Sequence, residues 1–189
     1  MFIMNVNIGV SNRHVHLTKE DYITLFGNDE IKKEKDLTQT GEFASSSKVS
    51  IATNKSTINN VRVLGPFRGY TQAEISKTDS FVLGVNPPIR NSGDIEDSEV
   101  VTIIGPAGQI TKQCCIIAAR HIHINPTDRE KYGLTGKETV SVKIGNEKSS
   151  IIDNVFIKES EIGVFELHID TDDANACLIK NGDIGIILN

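Results

Sequence analysis

The stretch "SNRHVHL" (residues 11–17) sets His14 and His16 two residues apart, and "AARHIHI" (residues 118–124) does the same with His121 and His123. The chain has five histidines, so four of them lie in these two copies. In a strand, residues i and i+2 share a face, roughly 6.6 Å apart along the chain. Each pair therefore offers two imidazoles side by side.

The similarity spreads outward from both pairs. "IGVSNRHVHLTKEDYITLFG" (8–27) lines up with "IIAARHIHINPTDREKYGLTG" (116–136). Both run from an apolar strand through Arg-His-x-His and a polar break to an acidic segment ending near Gly. "KVSIATNKSTINNVRVLGP" (48–66) resembles "TVSVKIGNEKSSIIDNVFIKE" (139–159), and "SGDI" (92–95) resembles "NGDI" (181–184). Self-similarity on this scale predicts two structural copies. His121 follows His14 by 107 residues, whereas Val155 follows Val61 by 94. The first copy thus carries about thirteen extra residues. "KKEKDLTQTGEFASS" (32–46) accommodates them, and its turn residues predict a small hairpin. The offset of 94 also sets Glu74 on His168, the fifth histidine. Each copy then supplies an HxH pair and one further metal-competent residue downstream.

Short runs rich in Val, Ile and Thr, broken by Gly, Asn, Asp and Pro, dominate the rest: "KVSIAT", "VRVLG", "FVLGV", "EVVTIIG", "ITKQCCIIAA", "TVSVKIG", "VFIKE", "GVFELHI" and "DIGIIL". Helical pattern is confined mainly to "TKEDYITLFG", with Thr18 as N-cap, and "PTDREKYG", with Asn125 before Pro126. The expectation is a mainly β fold of two small barrels related by the repeat and capped by short helices, since closure removes exposed edges.

Bulk composition narrows the function. The 189 residues are 38% hydrophobic and 24% charged, as in globular proteins. A net charge of −5 supplies no basic field for nucleic acid, and 5% aromatics with no Trp make a poor base-stacking platform. No run approaches ~20 apolar residues, so no membrane helix is expected. "MFIMNVNIGVSNR" lacks the marks of a secretory signal, so the expected setting is intracellular. An odd set of cysteines, Cys114, Cys115 and Cys177, then reads as reduced and buried thiols.

Two imidazoles plus a third residue can hold a divalent metal at about 2.0–2.1 Å per bond, and three protein ligands leave a position open for chemistry. His14, His16 and Glu74 form one such set, and His121, His123 and His168 the other. Zinc is the first choice, and Mn, Co or Fe suit the same N/O donors. A single HxH is more often an ordinary strand pair. Two copies, each with an aligned third residue and no histidine left over, favour the metal. Arg68, in the Gly-flanked turn "GPFRGYTQAEIS" (65–76), is suited to gripping a phosphate with its fork of donors.

The motifs "SNRHVHL", "VRVLGPFRGYTQAEIS", "PPIRNSGDI", "ARHIHINP" and "ELHIDTDDANA" resemble the phosphate propanoyltransferases, phosphotransacylases associated with propanediol degradation in bacterial microcompartments. The resemblance covers nearly the whole chain. It implies two β-barrels with a dinuclear zinc site between them, converting short-chain acyl-CoA (propanoyl-CoA or acetyl-CoA) and phosphate to acyl phosphate and CoA, and back. It implies that the N-terminal strand joins the C-terminal half. One barrel is then expected from residues 1–13 with 121–189, and the other from 14–120, with a hairpin insertion near 28–47. It assigns His14, His16 and Glu74 to a metal facing the CoA sulfur, and His121, His123 and His168 to a metal facing water or phosphate. Arg68 resembles the family's phosphate-binding arginine. CoA contacts are implied for Val10, Ser11, Asn12, Lys55, Arg62 and Asn175. Microcompartment members often carry an amphipathic N-terminal extension. Here the first strand starts almost at Met1, so a cytoplasmic enzyme is expected in preference to an encapsulated one.

The competing enzyme reading is a dinuclear metal hydrolase of an ester or phosphate, for which no acidic bridging ligand is evident. The non-enzyme reading is a metal-dependent sensing module. No nucleophilic Ser or Cys motif stands out, so direct transfer is expected rather than an acyl-enzyme. Neither acyl-chain preference nor homo-oligomer formation is encoded in any motif.

Overall fold

The computed structural model describes residues 4–188. Along it the chain passes twice through one series of elements. The first pass comprises β1 (Met4–Ser11), β2 (His14–His16) and α1 (Lys19–Phe26), then an inserted strand β3 (Lys33–Asp36). It continues with β4 (Phe43–Ala52), β5 (Thr57–Gly65), β6 (Gln72–Glu74), α2 (Lys77–Leu83), a two-residue strand β7 (Ile89–Arg90) and β8 (Glu99–Ile104). The second pass comprises β9 (Gln109–Ala118), β10 (His121–Ile124), α3 (Pro126–Lys131), β11 (Thr139–Ile144), β12 (Ser150–Glu159), β13 (Glu166–Asp170), α4 (Thr171–Ala176) and β14 (Ile184–Leu188). Apart from β3 and β7, the two passes match element for element.

The chain divides into two compact units, Met1–Asn12 with Ala119–Asn189, and Arg13–Ala118. In the first unit β10, β12, β11, β14, β1 and β13 close into a ring. In the second, β2, β5, β4, β8, β9 and β6 do the same, since β8 pairs with both β4 and β9. Ring order and strand directions agree. β1 runs parallel to β13 and antiparallel to β14, and β9 runs parallel to β6 and antiparallel to β8. The first strand of each pass therefore completes the ring built by the other pass. The expected fold class, two repeat-related barrels with short helices, is what the structure has.

Alternation explains the strands. In β1, Met4, Val6 and Ile8 are buried while Asn5 and Asn7 are exposed. Val140, Val142 and Ile144 of β11 face the same core, with Ile122, Ile124, Val155 and Leu167. The second core gathers Val15, Ile51, Val61, Val63, Val101 and Ile103 under Tyr22 and Leu25 of α1. Each such side chain contributes roughly 1.5–3 kcal/mol when fully buried. Asn60 and Asn154, which precede Val61 and Val155, both adopt left-handed φ, of 60° and 56°. Asn tolerates that region better than most residues, and the strain recurs at the same point of both copies.

Both expected helices form. Thr18 caps α1, accepting from the Asp21 N–H, and Asn125 caps α3, with Pro126 in its first turn. Two more were not foreseen. The run "FVLGV" (81–85) reads as strand, but Phe81–Leu83 completes α2. Ser76 and Asp79 make a reciprocal capping box at its start, and Gly84, at φ 69°, ends it. Asp170 caps α4 at the corresponding place. The insertion forms a hairpin: Lys33 pairs with Ser45 and Asp36 with Phe43. Among the described residues, no helix is long and apolar enough to cross a membrane.

Candidate metal centres

In the first unit, antiparallel β10 and β13 set His121 opposite His168, and His123 opposite Glu166. All four side chains project on one face, because alternate residues of a strand do. His121, His123 and His168 place ligand atoms within 4.8 Å of one another. His121 Nε2 and His123 Nε2 stand 3.1 Å apart. Two nitrogens on one tetrahedral zinc, each at 2.0–2.1 Å, stand about 3.3 Å apart, so the spacing fits a shared ion. His121 Nδ1 lies 2.8 Å from the carbonyl of Ala119. A carbonyl only accepts, so Nδ1 carries the proton and the lone pair on Nε2 is left for a metal.

The second unit repeats the grid. β2 and β6 set His14 opposite Glu74 and His16 opposite Gln72. His14, His16 and Glu74 also converge within 4.8 Å, and all three are buried. His14 Nε2 lies 3.4 Å from Glu74 Oε2, again close to a tetrahedral edge. Burial alone would push the Glu74 carboxyl up. The facing His14, aided by His16, outweighs it and holds the group ionised, well below the usual carboxylate range. Three nitrogen or oxygen donors with no thiolate suit zinc or another divalent transition metal, and leave at least one position open.

Sequence reasoning missed what the arginine of each RHxH does. Arg13 holds Asp79 by two bonds, of 2.8 and 2.7 Å, and Arg120 holds Asp173 by two bonds of 2.6 Å. Each aspartate lies in the first turn of the helix that follows Glu74 or His168. The fork thus ties the start of the histidine strand to the end of the third residue's strand. The signal was present: the arginines repeat at 107 residues and the aspartates at 94, the offsets of their own segments.

Arg68 sits between β5 and β6, with its backbone N–H on the carbonyl of Leu17, one residue beyond His16. Its guanidinium pairs with Glu42 of the inserted hairpin, and its buried Nε has no partner. An unsatisfied buried donor beside an already anion-occupied fork is what a phosphate could use. Arg62 pairs with Glu34 of the same hairpin and donates to the carbonyl of Ser45 at 2.6 Å. Lys55, in the β4–β5 turn, donates to the carbonyl of Phe81 at 2.7 Å. These three cations belong to the second unit. Val10, Ser11 and Asn175 belong to the first, where β1 runs beside Ile169 and Asp170 into α4. Asn12 closes that unit's N-terminal segment.

The cysteines are free and buried. Burial pushes the Cys114 thiol up to about 11, and pushes that of Cys115 up as well. Such thiols are poor nucleophiles at neutral pH.

The family model described as phosphate propanoyltransferase matches residues 7–180. A phosphate propanoyltransferase of Thermotoga maritima is 48% identical over 184 residues, covering 96% of this chain and 88% of its own. One from Priestia megaterium is 47% identical, covering 96% and 85%. One from Rhodopseudomonas palustris is 43% identical, covering 95% and 80%. With nearly every element of both barrels inside these matches, the chain belongs to the phosphate propanoyltransferase family and is a transferase.

Proposed function

We propose that the chain transfers a short acyl group, propanoyl or acetyl, between CoA and phosphate, using two divalent metal ions, zinc by preference. His14, His16 and Glu74 hold one, and His121, His123 and His168 hold the other. The observation that supports this most is that both barrels bring an open three-donor set together in one register, with different third residues. Metals so bound supply Lewis acidity, lowering the pKa of a neighbouring thiol and neutralising phosphate charge.

The chain's own groups then divide the work. Arg68 binds phosphate through its fork and its free Nε, displacing Glu42. Val10, Ser11, Asn12, Lys55, Arg62 and Asn175 hold CoA. The CoA sulfur forms a bond to the acyl carbon, the carbon–oxygen bond to phosphate breaks, and phosphate leaves; the reverse runs by the opposite exchange. The buried thiols with raised pKa support transfer without a cysteine-bound acyl group. Three free thiols also suit a reducing cytoplasm, where we place the enzyme.

The test is to incubate the purified chain with propanoyl-CoA or acetyl-CoA and follow free thiol. Release that requires phosphate supports the reading. Release at the same rate without phosphate means hydrolysis and overturns it.

A further inference from the structure

Two buried polar side chains next to the triads have no part in that scheme. Glu166 and Gln72 are 7% and 0% exposed, lie 94 residues apart, and each stands two residues before the third member of its triad. Each also pairs across its sheet with the second histidine, Glu166 with His123 and Gln72 with His16. Glu166 Oε2 lies 2.7 Å from His168 Nε2, and Gln72 Nε2 lies 2.6 Å from Glu74 Oε1. Burying such groups costs free energy unless they are hydrogen-bonded.

We infer that Glu166 and Gln72 are equivalent positioning residues, each orienting the third metal ligand of its barrel through a hydrogen bond of the polarity that ligand needs. The inference rests on the two-metal reading above. An imidazole ligand needs an acceptor for its N–H. The Glu166 carboxylate accepts from His168 Nε2–H and so leaves the Nδ1 lone pair for the metal. A carboxylate ligand needs a donor. The Gln72 amide is fixed as one, because the Gly93 N–H donates to its Oε1 at 2.8 Å, which turns Nε2 toward Glu74 and Ser92. The backbone makes room for the larger pair. Gly9 lies beside His168 on β1, and a Cβ there would come within 3.0 Å of the His168 ring and 3.1 Å of the Glu166 carboxyl carbon. The corresponding neighbour of Glu74 is Ile116, so the second barrel has no such gap to fill.

The test compares full-length wild type with Glu166→Gln, Glu166→Ala and Gln72→Met. Zinc content is measured by elemental analysis, and affinity by competition with a chromophoric chelator. Histidine tautomers are read by nitrogen-15 NMR of the metal-free protein. The wild type is expected to hold two zinc ions, with His168 protonated at Nε2. Glu166→Ala is expected to weaken one site about 10–100-fold and mix the His168 tautomers, with Glu166→Gln weakening it less. Gln72→Met is expected to weaken the other site only. Thermal melting checks folding; if Glu166→Ala does not fold, the isosteric Glu166→Gln carries the comparison. A wild type that binds no zinc overturns the two-metal reading and the inference with it. A wild type with two zinc ions and folded variants that hold both as tightly overturns the inference alone.

Discussion

The forked pair of Arg13 and Asp79 admits a quantitative test. Asp79 is 3% exposed and takes two charge-assisted bonds, of 2.8 and 2.7 Å, from an arginine whose side chain is 38% exposed. Removing one partner of a buried pair costs about 3–5 kcal/mol, because the remaining charge is stranded. Here solvent reaches the arginine side, and Asp79 keeps its capping contact with the Ser76 N–H, so the expected loss for Arg13→Ala is about 2–3 kcal/mol. For a chain of this length that lowers Tm by roughly 5–10 °C. Asp79→Asn, with Arg13 intact, is expected to cost less, since the amide keeps the shape. The double-mutant cycle should return a coupling of about 1.5–2 kcal/mol, measured by urea denaturation. The Arg120–Asp173 cycle should return less, because the Asp173 side chain is 18% exposed against 4% for Asp79. A coupling below about 0.5 kcal/mol at Arg13–Asp79, or the opposite ranking of the two pairs, would refute the idea that these forks lock the strands of the triads.

Three further outcomes are expected. Arg68→Ala should lower kcat/KM for phosphate by about 10²–10³-fold, and Glu42→Gln should lower the phosphate KM by ending competition for the guanidinium; a KM that rises in Glu42→Gln refutes the competition. Cys114 should resist a thiol reagent in the native state at pH 8 and react on unfolding. Its folded pKa of about 11 lies above the ordinary 9.0, so its contribution to stability is whole below pH 9 and is lost between 9 and 11, at up to about 1.4 kcal/mol per pH unit in denaturant titrations. Gly9→Ala should cost about 1–3 kcal/mol by overpacking and weaken zinc binding at one site of two; unchanged binding would show that the gap beside His168 is incidental.

The barrels were legible because their signals are local. Alternation in β1 and β11, the HxH doublets and the left-handed asparagines recur at fixed offsets. The offset of 94 residues that pairs Val61 with Val155 also pairs Glu74 with His168, and the structure sets each opposite the first histidine of its doublet. What was not legible depends on distance or on short length. α2 and α4 span seven and six residues, too few to show a helical period, and the apolar end of α2 imitates a strand. The Arg–Asp forks join residues 66 and 53 apart, and no local pattern announces them. The pairing of Glu42 with Arg68 needs the hairpin to fold onto the β5–β6 turn, which composition does not encode.

The two grids differ in a way that bears on their chemistry. Each contains one carboxylate among its four facing positions: Glu74 in the second barrel, Glu166 in the first. The negative charge available to a bound dication is thus the same in count but different in place. In the second barrel it lies on a residue of the triad itself, alongside two neutral imidazoles. In the first it lies one hydrogen bond away, behind His168. A directly bound carboxylate offsets more of a metal's charge than one relayed through an imidazole, so an ion held by His121, His123 and His168 would be the stronger Lewis acid. That ordering suits the division of labour proposed above. The more electrophilic site faces the phosphate, whose several negative charges need neutralising. The site with its own carboxylate faces the single charge of a thiolate, and releases it more readily to the acyl carbon.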